Sequence, residues 1–337
     1  MSHDFRLAVL NPGGRDAEQD FADTRSASAD VHAPINFHAY AACSSGAVFR
    51  DTKRAAASGW PVLLLLRGDF RATERALAQL QAAKRTVVVV LKETGAHQIA
   101  EQLDDPMRFA RFLKIVRAAD GALAGTACAA GLLRSVRGDD GVAFIPTPYP
   151  IDDEDWNWSV ENRAGIFIGT REFDVPSRNH LRALLAAKEL SDATREPVTV
   201  YNFERRRGAR LIAEIGFRRV RVQERRLGYR AYLGEVARHK IIFQLDRSRV
   251  PGQVAGDALL CRNVCVGGNG TIDTLAFPDT CGENRTDDEI TAIALALLRN
   301  DDARQKVADK ATKIAHEKLS FAAGREMLAR FFAERAG

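Results

Sequence analysis

Three observations predict an α/β chain of two Rossmann-like domains facing an interdomain cleft. The chain carries short continuous apolar runs, amphipathic stretches that alternate with them, and a proline-rich break near its middle. Continuous apolar runs suit parallel strands buried on both faces; a half-exposed sheet would instead show alternation. At 337 residues, 46% of them apolar, the chain is long enough to fill two cores.

In the first half, residues 5–10 read as a strand closed by the turn at residues 11–16. Residues 61–66 and 86–91 are further strands, and residues 71–83 and 106–118 are helices, the second with Phe109, Phe112, Leu113 and Val116 on one face. Residues 122–125 and 142–145 complete this sheet. Residues 146–158 carry Pro146, Pro148 and Pro150 and then four acids, a composition that excludes helix and marks a linker, so the domains divide as 1–150 and 151–337. The second half opens with a strand at residues 165–169 and a helix at 180–189. Strands at 198–201, 220–223 and 240–245 follow, with helices at 204–216 and 229–238, and the tail from 287 to 336 is helical by pattern.

Between these lies the most specific stretch, residues 250–267: a turn bearing Gly252, a short helix expected to carry Asp257 among its first residues, and an apolar strand. A helix start offers unpaired N–H groups and a partial positive charge to a phosphate, and a nearby carboxylate can accept from ribose hydroxyls. A nucleotide-binding corner is expected there.

Composition narrows the classes. No apolar run approaches the ~20 residues that span a bilayer. The opening residues lead directly into a strand without a signal peptide's apolar core. Five cysteines without a C-x-x-C pair imply neither a disulfide framework nor a zinc site, and a cytoplasmic, reduced protein is expected. The net charge of +5 comes mainly from arginine over residues 205–230, beginning at Arg205 and ending at Arg230. This is either a solvated basic face or a contact with the anionic inner face of a membrane. Without interleaved aromatics or a recognisable nucleic-acid fold signature, nucleic acid is not expected as a partner. The G-x-G-x-x-G, G-x-x-x-x-G-K-[ST] and G-x-S-x-G motifs are absent, which removes most support for dehydrogenase, kinase and esterase readings. Asp153 and Asp155 spell D-x-D, but inside the proline-rich linker, where they read as a solvated turn; no metal and no cofactor is expected.

The order of elements resembles GT-B glycosyltransferases, in particular the large retaining group with an E-G-F-G-x-x-x-x-E-A donor motif. Aligned on that motif, its second glycine falls on Gly252, the following position on Gln253, its closing glutamate on Asp257, and its first glutamate on Arg249. Residues 145–152 occupy the place of the I-P-N-G-V-D segment that ends the acceptor domain. The resemblance implies an N-terminal acceptor domain, a C-terminal nucleotide-sugar donor domain with the terminal helices, and no metal. It further implies a diphosphate clamp at Arg171 and Arg178, and donor contacts at Asp246, Gly252, Gln253 and Asp257. Gly13, Gly14 and Arg15 correspond to its glycine-rich loop, whose glycines let a ligand approach the backbone. Glu93 or His97, after the strand at 86–91, stands where a base toward an acceptor hydroxyl would reach the reacting sugar.

The implied reaction is sugar transfer from a nucleotide-sugar donor to a glycan or lipid-linked acceptor, as in polysaccharide biosynthesis. Arg249, in place of a carboxylate beside the transferred sugar, leaves the stereochemical outcome open. Two alternatives remain: a nucleotide-sugar 2-epimerase on the same fold, and a catalytically silent nucleotide- or carbohydrate-binding protein.

Overall fold

The computed structural model describes residues 5–22, 32–138 and 140–335. Residues 1–4, part of the opening stretch read above, and Ala336, the expected end of the helical tail, lie outside them. The chain divides into two compact units, residues 1–152 with 318–337, and residues 153–317.

The first unit begins with β1 (Ala8–Leu10), β2 (Gln19–Asp20), α1 (Phe37–Cys43), β3 (Ala47–Phe49), α2 (Thr52–Ala57) and β4 (Val62–Leu66). It continues through α3 (Arg71–Ala82), β5 (Val87–Leu91), α4 (Ala96–Leu103), α5 (Pro106–Ala118), β6 (Gly121–Ala124), α6 (Ala127–Arg137) and β7 (Val142–Phe144). Its sheet runs β2-β3-β1-β4-β5-β6-β7, and every pairing except the antiparallel β2–β3 is parallel. The Val- and Leu-rich strands β4 and β5 are buried at every position, as two-faced burial requires. The start of α5 is set locally: Asp105 accepts from Arg108 N at 2.8 Å, and Pro106 takes the first helical position, where its missing N–H costs nothing.

The second unit contains β8 (Ile166–Ile168), α7 (His180–Thr194), β9 (Val198–Tyr201), α8 (Arg205–Ile215), β10 (Val220–Gln223), α9 (Tyr229–Ala237) and β11 (Ile241–Phe243). It closes with α10 (Gln253–Leu260), β12 (Val264–Val266), α11 (Thr271–Ala276), α12 (Asp287–Arg299) and α13 (Asp301–Lys318). Its sheet is all parallel in the order β10-β9-β8-β11-β12, so the strand order reverses between β8 and β11. In open α/β sheets ligands bind beyond the carboxyl ends of the strands near such a switch point.

Three expectations need correction. The helix read at 180–189 runs on to Thr194, because Leu190 and Ser191 continue the buried stripe of Ala183, Leu184 and Ala187, and Arg195 at φ 65° then ends it. The last helix, α14 (Phe321–Ala333), belongs to the first unit: Leu328, Phe331 and Phe332 share a core with Leu7, Val9, Tyr40 and Leu63. Asp257 lies outside the first turn of its helix. Gly252, at φ 93°, caps α10, which places Asp257 a full turn in.

Candidate functional site

A cavity of about 530 Å³ opens beyond the carboxyl ends of β8, β9 and β10, beside the start of α10. Arg171, Tyr201, Phe203, Arg226, Tyr229, Tyr232 and Gln253 are among the residues that line it. Five segments deliver them, with Arg226 coming from the loop between β10 and α9. Tyr201 ends β9 and Phe203 follows two residues on; Tyr229 and Tyr232 sit one turn apart on one face of α9; Gln253 opens α10. Arg171 follows β8, just after Thr170, whose hydroxyl is tied to His180 Nδ1 at 3.0 Å.

The rings form a row. Phe203, Tyr201, Tyr232 and Tyr229 succeed one another at centroid spacings of 5.5, 5.8 and 6.1 Å, and Trp156 lies 6.0 Å beyond. The Arg171 and Arg226 guanidinium groups stand over Phe203 at 5.5 and 5.2 Å, so planar cations and a flat apolar ring share one end of the cavity. The Tyr201 hydroxyl is buried without a hydrogen-bond partner, and a polar ligand edge would satisfy it. Arg171 pairs only loosely with Glu172, at 3.5 Å, and keeps 48% of its side chain exposed. The cavity therefore gathers cations, a helix start and aromatic rings, the chemistries that the phosphates and base of a nucleotide call for.

The Asp257 carboxyl lies beneath this surface at 1% exposure. Tyr229 donates to its Oδ1 at 2.5 Å, and Tyr232 bonds the same group. Burial outweighs these bonds and pushes its pKa up to about 7. Asp273, at the third position of α11, is likewise buried at 2% and pushed up to about 7, by burial and by the neighbouring Asp246, against bonds from Cys265 and Gln244. The glycines of residues 267–270 pack tightly here. A Cβ on Gly268 would fall 2.1 Å from Asp273 Oδ1, and one on Gly270 would fall 2.7 Å from Oδ2.

Of the residues expected from sequence, Arg171 and Gln253 meet in the cavity lining, Gly252 caps the helix beside it, and Asp257 backs it. Arg178 and Asp246 are paired with each other through one guanidinium nitrogen, and Asp246 also accepts from Ser248 N at 2.7 Å. Arg249, at φ 51°, anchors its N–H on Asn269 Oδ1 at 3.0 Å and directs its side chain to Glu283 at 3.2 Å; it is not among the lining residues.

In the first unit, Gly13 adopts φ 74° in the loop after β1, where Asn11 donates to Asp16 at 3.0 Å. Arg15 is exposed. Glu93 is exposed and tied to Lys92 at 3.5 Å and to Gln98 at 3.3 Å, while His97 sits in the first turn of α4. The loop after β1 instead adjoins a residue that sequence reading missed, His38 on α1. Its ring stacks on His32 at 4.3 Å, its Nε2 is buried without a partner, and its pKa falls to about 4, mainly through burial, with Asp16 and Lys92 close enough to act on it. Asn11 Oδ1 and Thr94 Oγ1 are also buried without partners. Unsatisfied buried polar atoms gathered at strand ends are a ligand-facing feature, whereas a lone histidine at position 38 carries no periodic or motif signal.

No family model matches the chain, and no curated protein matches it in sequence. Solved structures do resemble it in shape. A glycosyltransferase from Rickettsia africae ESF-5 superposes with a TM-score of 0.61 at 11% identity over 98% of both chains. Trehalose 6-phosphate synthase from Burkholderia multivorans gives 0.65 at 9% identity over 99% of both. A variant of S. aureus TarM, in complex with fondaparinux, α-GlcNAc-glycerol and UDP, gives 0.61 at 13% identity over 80% of this chain and 55% of its own. The chain thus spans about half the length of the TarM structures it matches. Likeness in shape at such identities speaks to architecture, and by it the chain has the GT-B fold, with two Rossmann-like units.

Proposed function

We propose that the protein is a glycosyltransferase whose second unit binds a nucleotide-sugar donor and whose first unit receives a glycan or lipid-linked acceptor. The observation that carries this reading is the cavity beside the β8–β11 switch point, where Arg171 and the α10 start share the space with Phe203 and Tyr201. The base would lie along the rings and the diphosphate toward Arg171, whose planar fork suits phosphate oxygens and grows in value as the diphosphate departs. The TarM complex that contains UDP supports this choice of ligand class. In the first unit, the loop bearing Gly13 and Gly14, with His38 and Asp16 near it, supports an acceptor site; His38, held neutral by burial, can accept a hydrogen bond from an acceptor hydroxyl. Arginine takes the part that a metal plays in other transferases, so transfer should survive EDTA.

Calorimetric titration with UDP, GDP and ADP tests the donor site. One of them should bind, and Arg171→Ala should weaken it about tenfold, or ~1.4 kcal/mol, the low end for a charged hydrogen bond because this side chain is half exposed. Equal affinity of variant and parent would remove Arg171 from the site.

We further propose that the basic face of α8 and the β10 edge rests on anionic lipid. Arg206, Arg210, Arg218 and Arg219 are all exposed, and among the described residues no helix is long and apolar enough to cross a membrane. Each such cation near the surface contributes about 1 kcal/mol. Co-sedimentation with phosphatidylglycerol vesicles should fall on replacing these four by glutamine and should vanish with pure phosphatidylcholine; binding insensitive to either change would oppose the assignment.

A further inference from the structure

The second unit holds another cavity, of about 450 Å³, at the amino ends of its strands and so at the opposite edge of the sheet from the cavity of Arg171 and Tyr201. Ala164, just before β8, and Val264, which opens β12, border it, and the opening turns of α13 contribute Arg304 and Gln305. Three arginines line it: Arg163, Arg262 and Arg304. Arg163 is half-buried and donates to carbonyls, from Nε to Val160 O at 3.2 Å, from Nη1 to Arg262 O at 2.9 Å and from Nη2 to Cys261 O at 2.8 Å. A guanidinium has five N–H protons, so one remains on each terminal nitrogen. Burial lowers the Arg163 pKa, Cys261 counters this and the nearby Arg304 adds to the fall; no carboxylate acts on it among the described residues. The Arg304 side chain is only 12% exposed. It donates to Leu297 O at 2.9 Å and pairs at 2.9 Å with Asp301, a carboxylate 76% exposed and therefore screened by water. Glu161, the other acid in the lining, is exposed as well.

The carboxyl end of α10, where Cys261 and Arg262 stand, supplies Arg163 with about half a negative charge. The remaining positive charge, gathered on one cavity wall beside a second guanidinium, is unfavourable until an anion joins it. We propose that this cavity is a second ligand site, which receives the phosphate group of a small phosphorylated sugar on Arg163 and Arg304. Planar guanidinium forks suit phosphate oxygens. A volume of about 450 Å³ lies in the range of small-molecule pockets and leaves room beyond a lone phosphate. The amides of Asn162 and Gln305, in the same wall, suit sugar hydroxyls.

Calorimetry at fixed ionic strength compares glucose 1-phosphate, glucose 6-phosphate and ribose 5-phosphate with inorganic phosphate and with glucose. At least one sugar phosphate should bind the parent about tenfold more tightly than inorganic phosphate does, and glucose should not bind. Arg163→Gln, which can still donate to a carbonyl but carries no charge, should weaken that binding about tenfold. Gln305→Glu adds a carboxylate at an exposed position of the same wall and leaves every Arg163 bond in place. It should also weaken binding severalfold, and it decides the matter if Arg163→Gln does not fold. An Arg163 that only caps α10 would lower the melting temperature of Arg163→Gln and leave binding unchanged. Inorganic phosphate bound as tightly as the sugar phosphates, and lost in both variants, would overturn the sugar and keep the phosphate site. A parent that binds none of the probes overturns the inference, and so does binding that survives in both variants. Binding lost in Arg171→Ala but kept in Arg163→Gln would put the phosphate in the cavity of Arg171 and overturn it too.

Discussion

Gly267→Ala is expected to destabilise the second unit by about 3 kcal/mol or more, among the largest effects of any single-methyl addition in this chain. Gly267 follows β12 at φ 96°, which an L side chain rarely adopts, and a Cβ there would sit 2.0 Å from the Gln244 carbonyl oxygen. That neighbour is backbone, so no rotamer change relieves the contact. Gln244 N donates to Val266 O at 3.0 Å, and Gly267 N donates to Thr280 O at 2.9 Å. Any shift that accommodates the methyl must therefore loosen the end of the β11–β12 pairing or the turn that follows it. Gly216→Ala is the natural control. Gly216 ends α8 at φ 71°, and a methyl group added there would meet nothing within 4 Å, so only the left-handed cost of about 1 kcal/mol applies. Urea unfolding of both variants decides the matter: equal losses would show that the close approach at Gly267 relaxes freely.

This pair also marks what the chain reveals before it folds. The strands are legible because Val87–Leu91 and Val62–Leu66 must be buried on both faces, and few other arrangements accept five consecutive large apolar residues. The α5 start is legible because Asp105 and Pro106 act on their immediate neighbours. Arg171 and Gln253 could be found because each follows a recognisable strand or turn. Tyr201, Phe203, Tyr229 and Tyr232 could not. Each is ordinary where it stands, and only the parallel order β10-β9-β8 brings the end of β9 beside α9. Asp257 misled for a local reason: Gly252 caps α10 so that the helix already starts at Gln253, and one turn of difference converts a ligand-facing acid into a buried one. The α14 assignment required knowledge of which core Phe331 and Phe332 would fill, a tertiary choice that the helical period leaves open.

The buried acids give the second large expectation, a loss of stability as pH rises. Asp257 and Asp273 each hold a proton up to about pH 7 in the folded protein, whereas the unfolded chain releases it near the ordinary 3.8. Below pH 4 both states are protonated and folding bears no charge cost. Between pH 4 and 7 the unfolded state ionises first, so the stability contributed by the neutral carboxyls declines and is gone above the folded value. For one carboxyl, the change from pH 5 to pH 8 spans about two pH units of unequal proton binding, or about 2 to 3 kcal/mol. His38 and His180 oppose this: burial lowers both to about 4, so they add stability as pH rises to their unfolded 6.5 and are silent above it. The parent's own profile therefore mixes the two signs, and the difference between variant and parent isolates the acids. Asp257→Asn cannot ionise, so relative to the parent it should gain about 2 to 3 kcal/mol between pH 5 and pH 8, and Asp273→Asn should do the same. Both carboxyls act on the buried Cys265, so the double variant measures how far the two gains add. Denaturant midpoints for the four proteins at the two pH values measure this. A variant-to-parent difference that stays constant with pH would mean that Asp257 is already ionised at pH 5, held there by Tyr229 and Tyr232 against its burial.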